Sequence, residues 1–171
     1  RSYHGSKAES PLWGEVPNWD KQPVSEELLK LTLEAGEKKI VWGGNFYPLP
    51  PSRCWFVWDK LQSNRGSDCE LAWTNLDLPP KVFRMSRIDA YQNQAMFKKI
   101  HGAEKPIPLM KWCLQHAKPK SVIDPFMGVG STLVACKLLG IPCIGIELDM
   151  NYCKEAVRRL KSPLLTGFMK I

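Results

Sequence analysis

Two carboxylates, Asp124 and Glu147, each close a short apolar run, and between them lies the turn Gly128-Val129-Gly130-Ser131-Thr132. Glycines in such a turn let the backbone approach a ligand closely. An acid at the tip of the second run is placed to accept both hydroxyls of a ribose. The set therefore points to a ligand that contains a nucleoside. A dinucleotide fits less well, because its fingerprint asks for a third small residue where Leu133 stands. Asp124 would also meet a pyrophosphate with like charge, whereas an ammonium and a sulfonium would be attracted. S-adenosylmethionine meets that description. An ordinary structural turn with a solvated glutamate is the competing reading.

The pattern also specifies the elements that must hold these residues. Val122-Ile123 predicts a strand ending at Asp124, Ser131 to Leu139 a helix stopped by Gly140, and Cys143 to Ile146 a strand ending at Glu147. Gly130 or Ser131 starts the helix. Parallel strands joined by a helix need both faces covered, and both runs are apolar throughout. Ligands of such sheets sit outside the carboxyl ends of the strands.

Asp124-Pro125-Phe126-Met127-Gly128-Val129-Gly130-Ser131-Thr132 resembles the D-P-F-x-G-x-G-[ST]-T cofactor motif of the DNA amino-methyltransferases, which methylate adenine N6 or cytosine N4. His101-Gly102-Ala103-Glu104-Lys105-Pro106 is similar to the H-P-T-x-K-P segment that precedes that motif in the permuted, β-type order, with Gly102-Ala103 in place of Pro-Thr. Trp42-Gly43-Gly44-Asn45 and Asp68-Cys69-Glu70-Leu71-Ala72-Trp73 resemble two further blocks of small phage and bacterial members. The likeness runs from about Lys39 to Leu160.

That resemblance implies an α/β, Rossmann-like methyltransferase fold with a mostly parallel sheet, an antiparallel edge and helices on both faces. It implies S-adenosylmethionine as cofactor, held by Asp124, Pro125, Phe126, Gly128, Gly130, Ser131, Thr132, Glu147 and Leu148, with His101, Lys105 and Pro106 at its methionine end. Trp42, Gly43, Gly44 and Asn45 would lie towards the substrate pocket. The implied partner is double-stranded DNA with the target base flipped out, and the implied reaction is methylation of the restriction–modification kind, adenine N6 before cytosine N4.

The family's catalytic tetrad, D/N/S-P-P-[YFW], accepts hydrogen bonds from the target amine and stacks on the flipped base. These 171 residues do not contain it, since Pro50-Pro51 lies in L-P-P-S and Pro79-Pro80 in L-P-P-K. In the permuted order the tetrad and its strand would come before Arg1, and such a preceding segment is the expectation. Without it, the Val122-Ile123 strand would lack a neighbour and expose apolar surface. Catalytic residues are therefore unassigned. A non-catalytic cofactor-binding or DNA-binding partner is the alternative function.

At 171 residues and 44% hydrophobic, the chain can bury one core and reads as a single domain. Lys+Arg 24 against Asp+Glu 17 gives net +7, which favours an anionic partner. Six cysteines without a C-x-x-C pair suit free thiols in a reducing cytoplasm, and no metal is assigned. No run is long and apolar enough to span a membrane. In so short a chain, sequence specificity is expected to be short and relaxed, or to come from a second subunit, such as a homodimer partner, or from a missing segment.

Residues 1–24 read as a loop whose Tyr3, Trp13 and Trp19 pin it to the core, or else close over the cofactor or DNA. Ser25 caps a helix with Leu28, Leu31 and Ala35 as its buried stripe. Ile40-Val41-Trp42 is a short buried strand, and Cys54–Trp58 should pair with Cys69–Trp73 as an antiparallel edge. Asp59 and Glu70 read as solvated or salt-bridged acids, not catalytic ones. Residues 77–100 form a DNA-contacting insert in which Lys81, Arg84, Arg87, Lys98 and Lys99 are interleaved with Phe83, Tyr91 and Phe97. That mixture suits phosphate contact and base stacking, with Arg84 and Arg87 as the named candidates, and a solvated basic face is the alternative. Pro106 to Ala117 predicts a helix with Leu109, Trp112, Cys113 and His116 inward; Asp149 caps a last helix with Tyr152, Ala156 and Leu160 inward.

Overall fold

The computed structural model describes residues 24–61, 67–93, 96–100 and 102–168. The expectations for Tyr3, Trp13, Trp19 and His101 lie outside the described residues. The strands are β1 (Ile40–Trp42), β2 (Cys54–Asp59), β3 (Cys69–Thr74), β4 (Lys81–Arg84), β5 (Val122–Asp124) and β6 (Cys143–Gly145). The helices are α1 (Glu26–Glu34), α2 (Ile107–Ala117), α3 (Ser131–Leu139) and α4 (Met150–Leu160).

Two sheets form, one in the order β1-β3-β2-β4 and one of β5 beside β6. β3 runs antiparallel to both β1 and β2, whereas β2/β4 and β5/β6 are parallel. The fold is α/β, but the expectation of a mostly parallel sheet is corrected. Among the described residues the links from β1 to β2 and from β2 to β3 hold no α-helix, and a parallel crossover usually uses one. β2 and β3 pair antiparallel as expected, yet they lie inside the sheet. β4 takes the edge, a strand that the basic and aromatic composition of residues 77–100 did not announce.

β2 alternates cleanly, burying Cys54, Phe56 and Trp58. α2 lays Leu109 and Cys113 onto them, with Trp112 edge-on to Phe56 at 4.9 Å. The opposite stripe of α2, Ile107 and Leu114, packs with Val134, Ala135 and Cys136 of α3 and with Leu165. Lys38 Nζ donates to the Ala117 carbonyl at 2.7 Å, taking one of the open acceptors at the end of α2.

α1 begins as read, with the Ser25 side chain accepting from the Leu28 amide. Its buried stripe does not. Leu28, Leu31 and Ala35 are exposed, and Leu29, Thr32 and Leu33 are the half-covered residues. Leu33 lines a groove with Pro50 and Trp73, so the helix is turned one residue from the face its leucines suggested.

β5 and β6 also depart from expectation. Val122 and Cys143 face the α3 core, but Ile123 is 40% exposed and Ile144 64%. Side chains alternate between faces, so one covering helix hides only half of each strand. Among the described residues no element covers the other face.

Candidate functional site

Asp124 ends β5 opposite Gly145 of β6. Its Oδ1 accepts the Phe126 amide at 3.1 Å, which turns the chain out of the strand. The Ile146 amide donates to the Asp124 carbonyl at 2.9 Å and the Met127 amide to the Ile146 carbonyl at 3.1 Å, so the turn is stitched to the end of β6. Glu147 completes the stitching. Its Oε2 accepts the Gly128 amide and its Oε1 the Asp149 amide, each at 2.9 Å. A carboxylate oxygen has two acceptor positions, so both remain open to a hydroxyl.

Gly130 precedes α3 with φ +82°, and a Cβ there would stand 2.8 Å from the Ala156 Cβ and 3.3 Å from its Cα. Here the glycine is required by both backbone conformation and the close approach of α4. At Gly145 of β6 a Cβ would meet the Met127 sulfur at 2.3 Å and Leu133 at 2.7 Å, so a third glycine, which sequence spacing did not single out, lets the turn pack against the strand.

Burial pushes the Asp124 carboxyl above the ordinary range, and the charge of Glu147 adds to this against the opposing Thr132 and Phe126 hydrogen bonds. A bound cation would draw it back down. Ser131, at the start of α3, is buried and its hydroxyl has no partner. Leaving such a group unmet costs about 1–3 kcal/mol, and it sits where the helix N-terminus favours electron-rich ligand atoms. Thr132 is buried behind it, Pro125 is half-buried, Phe126 is 51% exposed and Leu148 is fully exposed. This donor set fits an adenosyl amino acid carrying an ammonium, ribose hydroxyls and a carboxylate.

A second group gathers at the end of β1. Lys105 Nζ lies 3.0 Å from Glu70 Oε2, 3.0 Å from the Ala103 carbonyl and 6.0 Å from the Trp42 ring centroid. The Trp42 indole nitrogen is buried without a partner. Pro106 caps α2. Gly43 has φ +72°. Gly44 is explained by packing, since a Cβ there would lie 2.5 Å from the Trp73 Cβ and 3.1 Å from its amide nitrogen. Asn45 is exposed.

Asp59 pairs with Arg84 at 3.3 Å, and Glu70 with Lys60 at 3.0 Å as well as with Lys105. For Glu70, burial raises the carboxyl, but Lys105 and Lys60 outweigh it and hold it below the usual range. Arg84 is thus committed to the outer edge of the four-stranded sheet, while Arg87 is exposed. Sequence reasoning missed Arg159. It is fully buried, donating to Glu155 at 2.8 Å, Glu104 at 2.6 Å and the Lys98 carbonyl at 3.0 Å. The signal was available, because Glu155 and Arg159 are four residues apart and flank Ala156 on its inward face.

A family model described as a DNA methylase matches residues 14–158. The type II methyltransferase M.HinfI of Haemophilus influenzae is 42% identical over 66 residues, 37% of this chain and 18% of that protein. M.SmaI of Serratia marcescens is 30% identical over 103 residues, 57% of this chain and 35% of that protein. This chain therefore spans well under two thirds of either relative. Among solved structures, the M1.HpyAVI–SAM complex aligns at 26% identity and TM-score 0.46, over 61% of this chain and 60% of that one.

Proposed function

The chain belongs to the N6/N4 DNA methylase family, and on that premise we propose that it moves a methyl group from S-adenosylmethionine to an exocyclic amine of a DNA base, adenine N6 ahead of cytosine N4. When bound, the cofactor supplies an electrophilic methyl on a sulfonium. Glu147, fixed by the Gly128 and Asp149 amides, accepts the ribose hydroxyls on its free lone pairs. Asp124 would hold the ammonium, and the unpartnered Ser131 hydroxyl would serve an acceptor at the helix start. Lys105 and Pro106 line the methionine end; with its charge held by Glu70, Lys105 shapes that wall more than it binds.

With the cofactor bound, its methyl would pass to the amine nitrogen as the S–CH3 bond breaks, and the amine would give up a proton. No residue of this chain is assigned as that proton's acceptor, because the two Pro-Pro pairs lack the acidic or amide residue before them and the aromatic after them. The observation carrying the proposal is the pair of acids on adjacent strand tips around a turn that ends in an unpartnered buried hydroxyl. Calorimetric titration with S-adenosylmethionine tests it: Asp124→Ala and Glu147→Ala should each abolish measurable binding. Near-unchanged affinity in both would refute the site.

The alternative reading is a cofactor-binding or DNA-binding partner that does not itself catalyse. Tritiated-methyl transfer to mixed-sequence DNA separates the two. Cofactor binding without label in DNA supports the partner role.

A further inference from the structure

Outside the Asp124–Glu147 turn, a concavity of about 220 Å³ opens at the carboxyl end of β2, lined among others by Lys60, Glu70, Arg87, Tyr91, Lys99 and Glu104. Tyr91 stands on a π-helical turn, Asp89–Asn93, a form of backbone that recurs at functional sites. The start of that turn is held by Ser86, whose hydroxyl donates to Asp89 at 2.7 Å and accepts the Asp89 amide at 3.0 Å. The Tyr91 hydroxyl donates to the Glu104 carbonyl, and its ring lies edge-on to Trp58 at 6.3 Å. The ring is therefore a fixed wall. Lys99 Nζ sits over it, 4.1 Å from the centroid.

The charges in this concavity do not balance locally. Glu70, from β3, is taken by Lys60 and Lys105. Glu104 is taken by Arg159 at 2.6 Å and by the Ile100 amide at 3.1 Å. Among the described residues, neither Arg87 nor Lys99 has a carboxylate within ion-pair distance. Burial, and then the charge of Arg87, press the Lys99 ammonium below the usual lysine range, against the opposing pull of Glu104 and Glu70. Two like charges facing one part-covered space are relieved by an anion. The volume equals that of several waters at about 30 Å³ each, enough for a tetrahedral oxyanion. Lys98, exposed and adjacent in sequence to Lys99, adds a further positive charge, which suits a polyanion.

We propose that this concavity is an oxyanion subsite that receives a backbone phosphate of the DNA substrate, with Arg87 and Lys99 supplying the charge and Tyr91 the wall. It rests on the DNA-methylating reading above. The contact carries no base information; it fixes where the strand lies relative to the cofactor turn.

The test uses the full chain with Arg87→Gln, Lys99→Ala and Lys99→Arg, each checked for a cooperative melt. Duplex binding is followed by fluorescence anisotropy between about 50 and 200 mM salt, cofactor binding by calorimetry, and inorganic phosphate by its effect on Tm. Arg87→Gln and Lys99→Ala should each weaken DNA binding about tenfold and lower the log–log salt slope by about one. Lys99→Arg should retain most of the affinity, and cofactor affinity should stay within about twofold throughout. If the wild type binds and methylates DNA but affinity and slope are unchanged in both charge-removing variants, the subsite is overturned while the function stands. If phosphate protects the wild type alone and DNA binding is unaltered, the site takes free phosphate and the backbone assignment is overturned. A wild type that binds no duplex overturns both readings together.

Discussion

Gly130→Ala is the sharpest probe of the turn, because the structure assigns two separate costs to one methyl group. The residue has φ +82°, where an L side chain costs roughly 1–2 kcal/mol. The added Cβ would stand 2.8 Å from the Ala156 Cβ, and relieving such an overlap in a packed site costs roughly 1–3 kcal/mol. The expected loss is therefore about 2–5 kcal/mol, a large part of a domain stability of about 5–15 kcal/mol. Urea unfolding with linear extrapolation would read it. The two costs separate in Gly130→Ala/Ala156→Gly, which removes the 2.8 Å overlap but leaves the backbone strain and the 3.3 Å approach to the residue-156 Cα. Against the two single variants, the double variant should show a favourable coupling of about 1–3 kcal/mol. Cofactor affinity should not return with stability, because the strained backbone still displaces the Gly128 amide. A loss under about 1 kcal/mol, or no coupling, would refute the claim that α4 rests on this turn.

Four further outcomes follow from the site. Asp124 has a folded pKa above its ordinary value, so the unliganded protein loses stability as pH rises from the ordinary carboxylate range through the raised pKa. Asp124→Asn should therefore melt no lower than wild type at neutral pH, gain less on acidification, and bind cofactor at least about tenfold more weakly; a lower neutral-pH melt would count against it. Glu147→Gln turns an amide donor towards one of the two backbone N–H groups, and urea unfolding should register a loss of about 1–3 kcal/mol. Arg159→Met leaves Glu104 without its guanidinium, while Glu155 keeps Arg158; a loss of about 3–5 kcal/mol is expected, and one below about 1 kcal/mol would refute the buried network. Glu155 is held below the usual range first by its Arg158 hydrogen bonds, so its contribution is present above the ordinary carboxylate pKa and lost as pH falls through the folded one. Glu155→Gln should flatten the fall of the urea midpoint in acid.

The turn was legible because its residues act locally. A strand ending at Asp124, a helix from Ser131 to Leu139 and a stop at Gly140 need only neighbours in sequence, and all three stand as read. The sheet was less legible, because strand direction depends on how connections fold back, and β3 lies between β1 and β2 without any mark in its own composition. α1 shows a different limit. Leu28 and Leu31 make a convincing stripe, but the groove at Pro50 and Trp73 engages Leu33. For Arg159 only the local half of the signal, its spacing from Glu155, lay in the sequence; its full burial makes sense once Glu104, distant in sequence, is known to meet it.

α2 is shared property. Leu109 and Cys113 complete one apolar cluster and Ile107 and Leu114 the other, on opposite sides of the same few turns. Neither cluster can loosen without disturbing a helix that the other also needs, so the two halves should melt in a single transition and their amides should exchange with similar protection. Pro106 begins that helix directly after Lys105, so the proposed methionine end of the cofactor site is anchored to the same joint that binds the halves together.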